Sequence, residues 1–373
     1  MKLKLGGHCI FESGDAQRLC IEGGAPVIKL MNSYKVGQEL LSMSPRPLII
    51  GRHYVENEPP NDDFLRHSPQ DIARLYVSWM ETDIRSNPHI DAWEGPNEPA
   101  FGDGLDPVGR ARLLWYSQFE IERTRILREG FGKASMIGNF STGTPDLPAA
   151  DRMAGWRPFI PAIDALERYN GYLGLHEYGG PDRTMDGWLL LRYRWILNEM
   201  RARGVPVKIV MTECGFDSTP GNPPGDSWKG LKLTPERYAQ YLIWYNEELL
   251  KDREVVGGTL FTYGSSTGWP DFDLEGTRVT QLLIDYAQQG QEEEEMLVAV
   301  SRFKFKVRSK KDTPIYASPG ENFPLIRNGK HYLVSGRIMD ISVIAGTWFK
   351  VYDKPAMWVR QADCEPLNVM LAF

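Results

Sequence analysis

The feature that most constrains the fold of this chain is a regular alternation of short apolar runs with amphipathic stretches. Strands are predicted at residues 3–10, 27–31, 48–54, 90–93, 134–139, 171–176, 207–212 and 258–263. Helices are predicted between them, most clearly at residues 69–85, 108–129, 157–169, 187–203, 234–251 and 278–288. Short apolar strands separated by helices are typical of a parallel sheet that is covered on both faces. Eight such units predict an α/β fold, a (β/α)₈ TIM barrel.

An open, doubly wound parallel sheet is the alternative arrangement of the same units. That fold commonly carries a glycine-rich GxGxxG turn after an early strand, and no such turn follows an early strand here. The closed barrel is therefore the favoured prediction.

Start and stop signals accompany several predicted helices. Ser68 and Thr234 each precede a proline, which predicts an N-cap followed by proline at the first helical position. Gly130 and Gly204 follow basic stretches and are predicted to end their helices in the left-handed conformation.

The pattern changes after residue 288. The segment QQGQEEEEM at 288–296 is polar and carries four consecutive glutamates, which predicts a linker at 289–299 or the frayed end of the last barrel helix. Short alternating strands follow at 303–308, 331–335, 348–352 and 357–360, separated by turn residues. We therefore predict a catalytic domain at 1–288 and a small β-barrel domain at 300–373.

Composition narrows the classes of partner. The chain has a formal net charge of −6, with 42% hydrophobic and 25% charged residues, which does not favour nucleic acid or an anionic membrane as a partner. No run approaches the roughly 20 apolar residues of a membrane span. The N-terminus lacks the apolar stretch of a signal peptide, so a cytoplasmic location is the default expectation, with secretion through a missing leader as the alternative. The four cysteines lack CxxC spacing, which argues against a structural zinc site and against a disulfide scaffold. No metal and no cofactor is expected.

Two glutamates stand where buried strands are predicted to end. Glu98 lies in WEGPNEP at 93–99, and Glu213 lies in IVMTECG at 209–215. An ionisable group at such a place is costly to bury without a purpose. In a (β/α)₈ barrel, side chains at the carboxyl ends of strands form the active site. Most enzymes that cleave a glycosidic bond use a pair of carboxyl groups, and these two glutamates could form such a pair.

Other polar and aromatic side chains fall at the same predicted rim. Strand three ends in Arg52-His53-Tyr54, strand six in His176-Glu177-Tyr178, and strand eight in Thr262-Tyr263. We expect these groups to converge on the two glutamates. The candidate substrate-binding residues are Arg52, His53, Trp93, Asn97, His176, Tyr178, Trp228, Tyr263 and Trp269.

The combination of Asn97-Glu98 with Glu213 and His176-Glu-Tyr178 resembles the clan A retaining glycoside hydrolases over roughly residues 1–290. The resemblance implies that Glu98 is the acid/base catalyst and Glu213 the nucleophile. It further implies that Asn97 binds the sugar 2-hydroxyl, that Tyr178 hydrogen-bonds Glu213, and that His176 lines the sugar site. Arg52 is expected to favour the ionised form of Glu213.

The chain departs from the clan pattern at two places. The clan usually has its site arginine on strand two and a tryptophan at the end of strand eight. Here the arginine, Arg52, falls on predicted strand three, and strand eight ends in Phe261-Thr-Tyr263. This departure concerns the substrate rather than the class of reaction.

Several neighbouring residues have structural interpretations. Glu94 and Glu177 alternate to the other side of the catalytic positions and are predicted to form salt bridges or supporting contacts. His8 and His53 lie near strand ends, where hydrogen bonding to the backbone is the more common role. Cys214 is predicted to be a small buried filler. Trp228 and Trp269 stand in long loops at 218–228 and 265–273, where sugar stacking and simple loop packing are both open.

The C-terminal segment resembles bacterial SH3-like domains. The resemblance depends on FKVRS at 305–309, IYASP at 315–319, WFKV at 348–351 and WVR at 358–360. It implies binding to bacterial cell wall or to a peptide, and a packing module is the alternative.

The function expected from the sequence is hydrolysis of a β-linked polysaccharide or oligosaccharide with retention of configuration. Two alternatives remain open. One is a metal-dependent barrel hydrolase that uses His8, His53 and His176, although no HExxH motif is present. The other is a non-catalytic carbohydrate-binding barrel. The sugar, its linkage and endo or exo action are not specified by the sequence.

Overall fold

The structure is a computed structural model of the whole chain. It describes residues 2–99, 105–146, 148, 150–179, 189–217, 227–265 and 268–301, together with short segments between 305 and 367. The chain divides into two compact units, Lys2–Gln288 and Gln289–Phe373.

The first unit is a closed barrel of eight parallel strands in sequence order. The strands are β1 (Leu5–Cys9), β2 (Val27–Leu30), β3 (Leu48–Gly51), β4 (Ala92–Glu94), β5 (Ala134–Phe140), β6 (Tyr172–Gly179), β7 (Ile209–Phe216) and β8 (Val255–Tyr263). The first and last strands close the barrel, with Leu5 opposite Gly258 and His8 opposite Phe261. The predicted (β/α)₈ barrel is thereby confirmed, with every predicted strand in its expected place.

A helix follows each strand. The helices are α1 (Gly14–Ile21), α2 (Lys35–Glu39), α3 (Pro69–Ser86), α4 (Pro107–Phe131), α5 (Ile160–Tyr169), α6 (Tyr193–Arg203), α7 (Pro235–Leu250) and α8 (Arg278–Ser301). The predicted caps are present at two of them: Ser68 Oγ accepts from Asp71 N at 3.1 Å, and Thr234 Oγ1 accepts from Arg237 N at 3.2 Å. Within the described residues, no helix is long and apolar enough to cross a membrane.

Two predicted helix ends differ from the structure. Gly130 lies inside α4, which instead ends at Gly132 with φ of 68°. Gly204, with φ of 71°, does end α6 as predicted. The backbone of the predicted linker at 289–299 belongs to α8, which runs to Ser301. Glutamate, glutamine and methionine are good helix formers, and here that propensity prevails over the run of like charges.

The alternation of side chains along the strands separates an outer core from the barrel interior. In β2, Ile28 and Leu30 belong to the large apolar cluster that includes the helices. Val27 belongs to a smaller cluster with Ile50, Ala92 and Val210 from other strands. Because side chains alternate along a strand, Lys29 faces the interior on the same side as Val27. The interior is therefore apolar at the amino ends of the strands and charged one layer further along.

Beyond the end of α8 at Ser301, the described residues of the second unit form mainly strands. Five of them are β9 (Phe305–Ser309), β12 (Ile338–Ala345), β13 (Trp348–Val351), β14 (Trp358–Arg360) and β15 (Cys364–Leu367). They form an antiparallel sheet in the order β14-β13-β12-β9-β15. Two more, β10 (Thr313–Pro314) and β11 (Tyr332–Leu333), pair with each other. The predicted motif at 315–319 lies outside the described residues. The all-β prediction agrees with these strands, and the SH3-like assignment remains a prediction.

Candidate functional site

A cavity of about 660 Å³ opens at the carboxyl ends of the barrel strands. Every strand or its following loop contributes to the lining, which is the arrangement that places active sites in this fold. The lining residues are His8, Ile10, Met31, Arg52, Tyr54, Asn97, Glu98, Ser141, Thr142, Tyr178, Glu213, Asp217, Phe261, Trp269 and Phe272.

Glu213 lies in the floor of this cavity, with its side chain only 9% exposed. Both carboxylate oxygens have partners. Tyr178 Oη donates to Oε2 at 2.9 Å, and Lys29 Nζ donates to Oε1 at 3.3 Å. The hydrogen bond expected between Tyr178 and Glu213 is therefore present, and it orients the carboxylate from the side opposite Lys29.

The surroundings of Glu213 keep it ionised. Burial is the largest influence and by itself would raise its pKa, but the attraction of His176, Lys29 and Arg52 outweighs it and holds the pKa well below the usual range. Burial and the neighbouring Glu213 raise the pKa of Tyr178 well above its ordinary value, so the phenol keeps the proton that it donates. A carboxylate held charged in a pocket is a competent nucleophile.

Glu98 lies at the cavity wall just beyond β4 and is more accessible, with 43% of its side chain exposed. His176 stands between the two glutamates: its Nδ1 is 2.9 Å from Glu98 Oε1 and 3.5 Å from Glu213 Oε2. Those two oxygens therefore lie no more than about 6.4 Å apart, the sum of the two distances. One imidazole thus ties a buried carboxylate to an accessible one.

A buried charge network underlies the cavity floor, and sequence reasoning missed its centre. Lys29 is fully buried, and its Nζ lies 2.8 Å from Glu94 Oε2 as well as 3.3 Å from Glu213 Oε1. Arg52 continues the network, with its Nε 3.9 Å from Glu94 Oε2. Glu94 therefore has the salt-bridge role predicted for it, but it shares Lys29 with Glu213 inside the barrel and does not face the other side of the strand as predicted. The signal in the sequence was a lysine inside the apolar strand VIKL at 27–30, where a charge requires a partner.

Strand β2 thus supplies a cation to Glu213, and the residue is a lysine. Arg52 follows directly after β3, so the strand count made from the sequence was correct. The two cations have different contacts. Lys29 contacts Glu213 directly, whereas Arg52 lines the cavity and pairs with Glu94 and Glu58.

His8 also lines the cavity, fully buried on β1. Its Nδ1 is 3.7 Å from Glu213 Oε1, and its ring meets the edge of Phe261 with centroids 5.1 Å apart. Burial, reinforced by the charge of Lys29, lowers the pKa of His8 well below its ordinary value. A neutral imidazole beside the carboxylate has nitrogens that can meet a sugar hydroxyl.

One side of the cavity is aromatic. Phe261, at the end of β8, lies 5.5 Å from both Trp269 and Phe272, measured between ring centroids, and Trp269 and Phe272 are 5.7 Å apart. Tyr178 completes the group, 6.4 Å from Phe261. Strand β8 carries no tryptophan at its end, and Phe261 lines the cavity there instead. The indole of Trp269 lines the cavity from the loop that follows.

The structure brings together most of the predicted site residues. Arg52, Asn97, Tyr178 and Trp269 line the cavity with the two glutamates. His176 does not line the cavity as expected but lies behind it, fully buried, in contact with both carboxylates.

Four predicted site residues have other surroundings. His53 Nδ1 contacts Asp83 Oδ2 at 2.7 Å, a side-chain partner on α3. Trp93 is buried against Tyr34, with centroids 5.4 Å apart. Tyr263 Oη contacts Thr280 Oγ1 on α8 at 3.2 Å. Trp228 is buried and stacks on Tyr238 at 5.2 Å, while loop residues 218–226 lie outside the described part of the chain. Trp93, Trp228 and Tyr263 belong to the outer core, because of the alternation along the strands and the course of the loops.

The remaining interpretations concern Glu177 and metals. Glu177 lies on β6, is fully buried, and accepts from Tyr193 N at 3.0 Å and from Tyr245 Oη at 2.6 Å, which is a structural role. Within the described residues, no group of three or more histidine, cysteine or acidic side chains is arranged to hold a metal ion.

Comparisons with known proteins give likeness in structure only. No protein-family model matches the chain, and no curated protein matches its sequence. Among solved structures, the chain is similar to a GH113 β-1,4-mannanase at 10% identity, with a TM-score of 0.43 over 77% of this chain and 99% of that one. It is similar to a hyperthermostable endo-1,4-β-D-mannanase from Thermotoga petrophila RKU-1 at 15% identity, with a TM-score of 0.45 over 77% and 99% of the two chains. A glycoside hydrolase family 5 lichenase from Caldicellulosiruptor sp. F32 matches at 12% identity, with a TM-score of 0.48 over 74% and 84%. These neighbours are glycoside hydrolases, and at such identities the likeness concerns the fold alone.

Proposed function

We propose that this chain is a retaining glycoside hydrolase that cleaves β-linked bonds of a polysaccharide or oligosaccharide. The observation that carries the proposal is the pair Glu98 and Glu213, one accessible and one buried and ionised, in contact with a single nitrogen of His176. Retaining enzymes hold their two carboxyl groups about 5–5.5 Å apart, and inverting enzymes about 6.5–9.5 Å apart. The limit of about 6.4 Å between these two oxygens is compatible with the retaining spacing, and the configuration of the released anomer decides between the two mechanisms.

In the first step, Glu213 attacks the anomeric carbon while Glu98, as the carboxylic acid, gives its proton to the departing glycosidic oxygen. The bond to the leaving group breaks, and an ester between the sugar and Glu213 forms. In the second step, Glu98 takes a proton from water, which attacks the same carbon and releases Glu213 as the carboxylate. The enzyme returns to its starting state after both steps.

The cavity walls are suited to a sugar. Asn97 places a partly buried amide beside Glu98, and its Oδ1 has no hydrogen-bond partner among the described residues. We assign it to the sugar 2-hydroxyl, a contact that strengthens in the transition state. Tyr54 and Trp269 are 60% and 39% exposed, and they follow strands β3 and β8 on separate walls. Exposed flat rings on two walls favour a chain of sugars over a single unit.

The test begins with a panel of glycans that includes plant β-glucans, β-mannans and bacterial cell wall. Release of reducing ends by the wild-type chain identifies the substrate. Glu213→Gln keeps the shape of the side chain but removes the nucleophile, so turnover should fall by several orders of magnitude. Wild-type turnover in that variant would exclude the assignment.

The mechanism is tested separately from the activity. The anomer first released, observed by proton NMR before mutarotation, should have the β configuration of the substrate. A 2-fluoro sugar with an activated leaving group should label Glu213, identified by peptide mass. Initial release of the α anomer would show inversion instead.

A further inference from the structure

Glu58 is a nearly buried carboxylate that the mechanism above does not use. It lies in the connection between β3 and α3, and its side chain is 11% exposed. The carboxylate points at the tip of β4, where its Oε2 accepts a hydrogen bond from Asn97 N at 2.7 Å. Its target is therefore the backbone immediately before Glu98.

Two further contacts fix the orientation of Glu58. Tyr76, fully buried on α3, donates from its Oη to Glu58 Oε1 at 3.2 Å. Arg52 places its Nη2 3.4 Å from Glu58 Oε2. The carboxylate is thus held on one oxygen by a core tyrosine, and its other oxygen is shared by an arginine and the Asn97 N–H.

The backbone at Glu98 needs such support. Glu98 has φ of 44°, in the left-handed region that residues other than glycine seldom adopt. Its own N–H donates to Asn139 O at 3.0 Å. Two consecutive N–H groups, of Asn97 and Glu98, are therefore bound by two separate acceptors, Glu58 in the connection between β3 and α3 and Asn139 on β5. A strained conformation persists at a site only where the surroundings over-determine it.

We propose that Glu58 is a positioning residue that holds the Asn97–Glu98 turn in its strained conformation and so aims the Glu98 carboxyl at the leaving-group oxygen; the proposal rests on the function assigned to Glu98 above. Glu58 touches neither the sugar nor the reacting atoms. Its loss releases the Asn97 N–H, and the turn relaxes toward an ordinary backbone conformation. Acid catalysis then suffers before nucleophilic attack does, because the contacts of Glu213 come from other strands.

The kinetic test compares leaving groups. Glu58→Ala and Glu58→Gln are assayed on aryl glycosides of the sugar found active in the panel, from phenol to dinitrophenol. A good leaving group departs without a proton, so Glu58→Ala should lose at least tenfold more kcat/KM on the phenyl than on the dinitrophenyl substrate. Glu58→Gln keeps an acceptor for Asn97 N–H and should lose less. Glu56→Gln, an exposed glutamate in the same loop, is the matched control and should lose nothing.

A uniform loss over all leaving groups would indicate general misfolding of the site and would overturn the proposal. Hydrogen exchange provides a second readout that needs no substrate. In Glu58→Ala the amides of Asn97 and Glu98 should exchange at least tenfold faster than in wild type, while those of β7 stay unchanged. Unchanged exchange at Asn97 and Glu98 would also overturn it.

The two proposals fail in different ways. If Glu98→Gln shows no dependence on the leaving group, then the acid/base assignment of Glu98 is wrong. The exchange experiment then decides by itself whether Glu58 holds the turn, because it measures the backbone and not the reaction.

Discussion

Lys29 and Glu94 form an ion pair in which both side chains are fully inaccessible to solvent, with Nζ 2.8 Å from Oε2. The same ammonium lies 3.3 Å from Glu213, so one cation serves two anions. Arg52 supplies a second cation, with its Nε 3.9 Å from the same oxygen of Glu94. A buried charge with its partner removed is far more costly than the intact pair, which makes Lys29 the most sensitive position of the cavity floor.

We expect Lys29→Met to lower the free energy of unfolding by about 3–5 kcal/mol, because it leaves Glu94 and Glu213 facing each other without their common cation. The double variant Lys29→Met with Glu94→Gln removes one of the two orphaned charges and should recover part of that loss. Denaturant unfolding of both variants at neutral pH measures the difference. Equal stability of the single and double variants would contradict the shared role of Lys29.

The pH dependence of activity follows from the depressed pKa of Glu213. In the folded protein this pKa lies well below its ordinary value of 4.5. The ionised form of Glu213, and the stability that its contacts provide, are therefore fully present above about pH 4.5 and are lost as the pH falls toward the folded-state pKa. The acidic limb of kcat/KM should lie below pH 4.5 in the wild type. In the Lys29→Met, Glu94→Gln variant it should move upward by about 1–2 pH units, since an opposite charge at this distance depresses a pKa by such an amount. Lys29→Arg, which keeps the charge, is the control.

Tyr178→Phe removes the hydrogen bond to Glu213 Oε2 and little else, because the ring keeps its place against Phe261 and Phe272. A hydrogen bond to a charged group contributes about 1.5–3 kcal/mol, so kcat/KM should fall roughly 10- to 100-fold. Tyr263→Phe is a matched control, since its hydroxyl contacts Thr280 on the outside of the barrel. A comparable loss in Tyr263→Phe would mean that Tyr263 reaches the substrate after all.

The two loop tryptophans should respond in opposite ways. Trp269 lines the cavity and is 39% exposed, so Trp269→Ala should raise KM two- to tenfold, the loss of about 0.5–1.5 kcal/mol of stacking. Its effect on unfolding should be small. Trp228 is buried against Tyr238, so Trp228→Ala should lower the free energy of unfolding by about 3–5 kcal/mol. The kinetic constants of the folded Trp228→Ala protein should stay near those of wild type. Steady-state kinetics and thermal unfolding of both variants check the contrast.

The sequence by itself determined the eight strands, six of the eight helices that follow them, and the strand ends at which Glu98, Glu213 and Tyr178 stand. These features are local. The period of the apolar residues predicts whether a segment is a strand or a helix, and the bounds of a strand predict which side chains stand at its carboxyl end. Even the departures at Arg52 and Phe261 were visible as positions in the strand count. The charge pattern left open whether residues 289–299 form a linker or the end of the last helix, and in the structure their backbone belongs to α8, in keeping with their helix propensity.

The tertiary structure alone decided which side chains meet. Lys29 reaches Glu94 and Glu213 only because strands β2, β4 and β7 close into one barrel and direct these residues to the same interior layer. His176 lies behind the cavity and contacts both Glu98 and Glu213. Glu58 accepts a hydrogen bond from the Asn97 N–H, 39 residues further along the chain. Trp228 and Trp269 look alike in sequence, yet the fold buries one and exposes the other. Such pairings depend on contacts between residues far apart in the chain, which local periodicity does not encode.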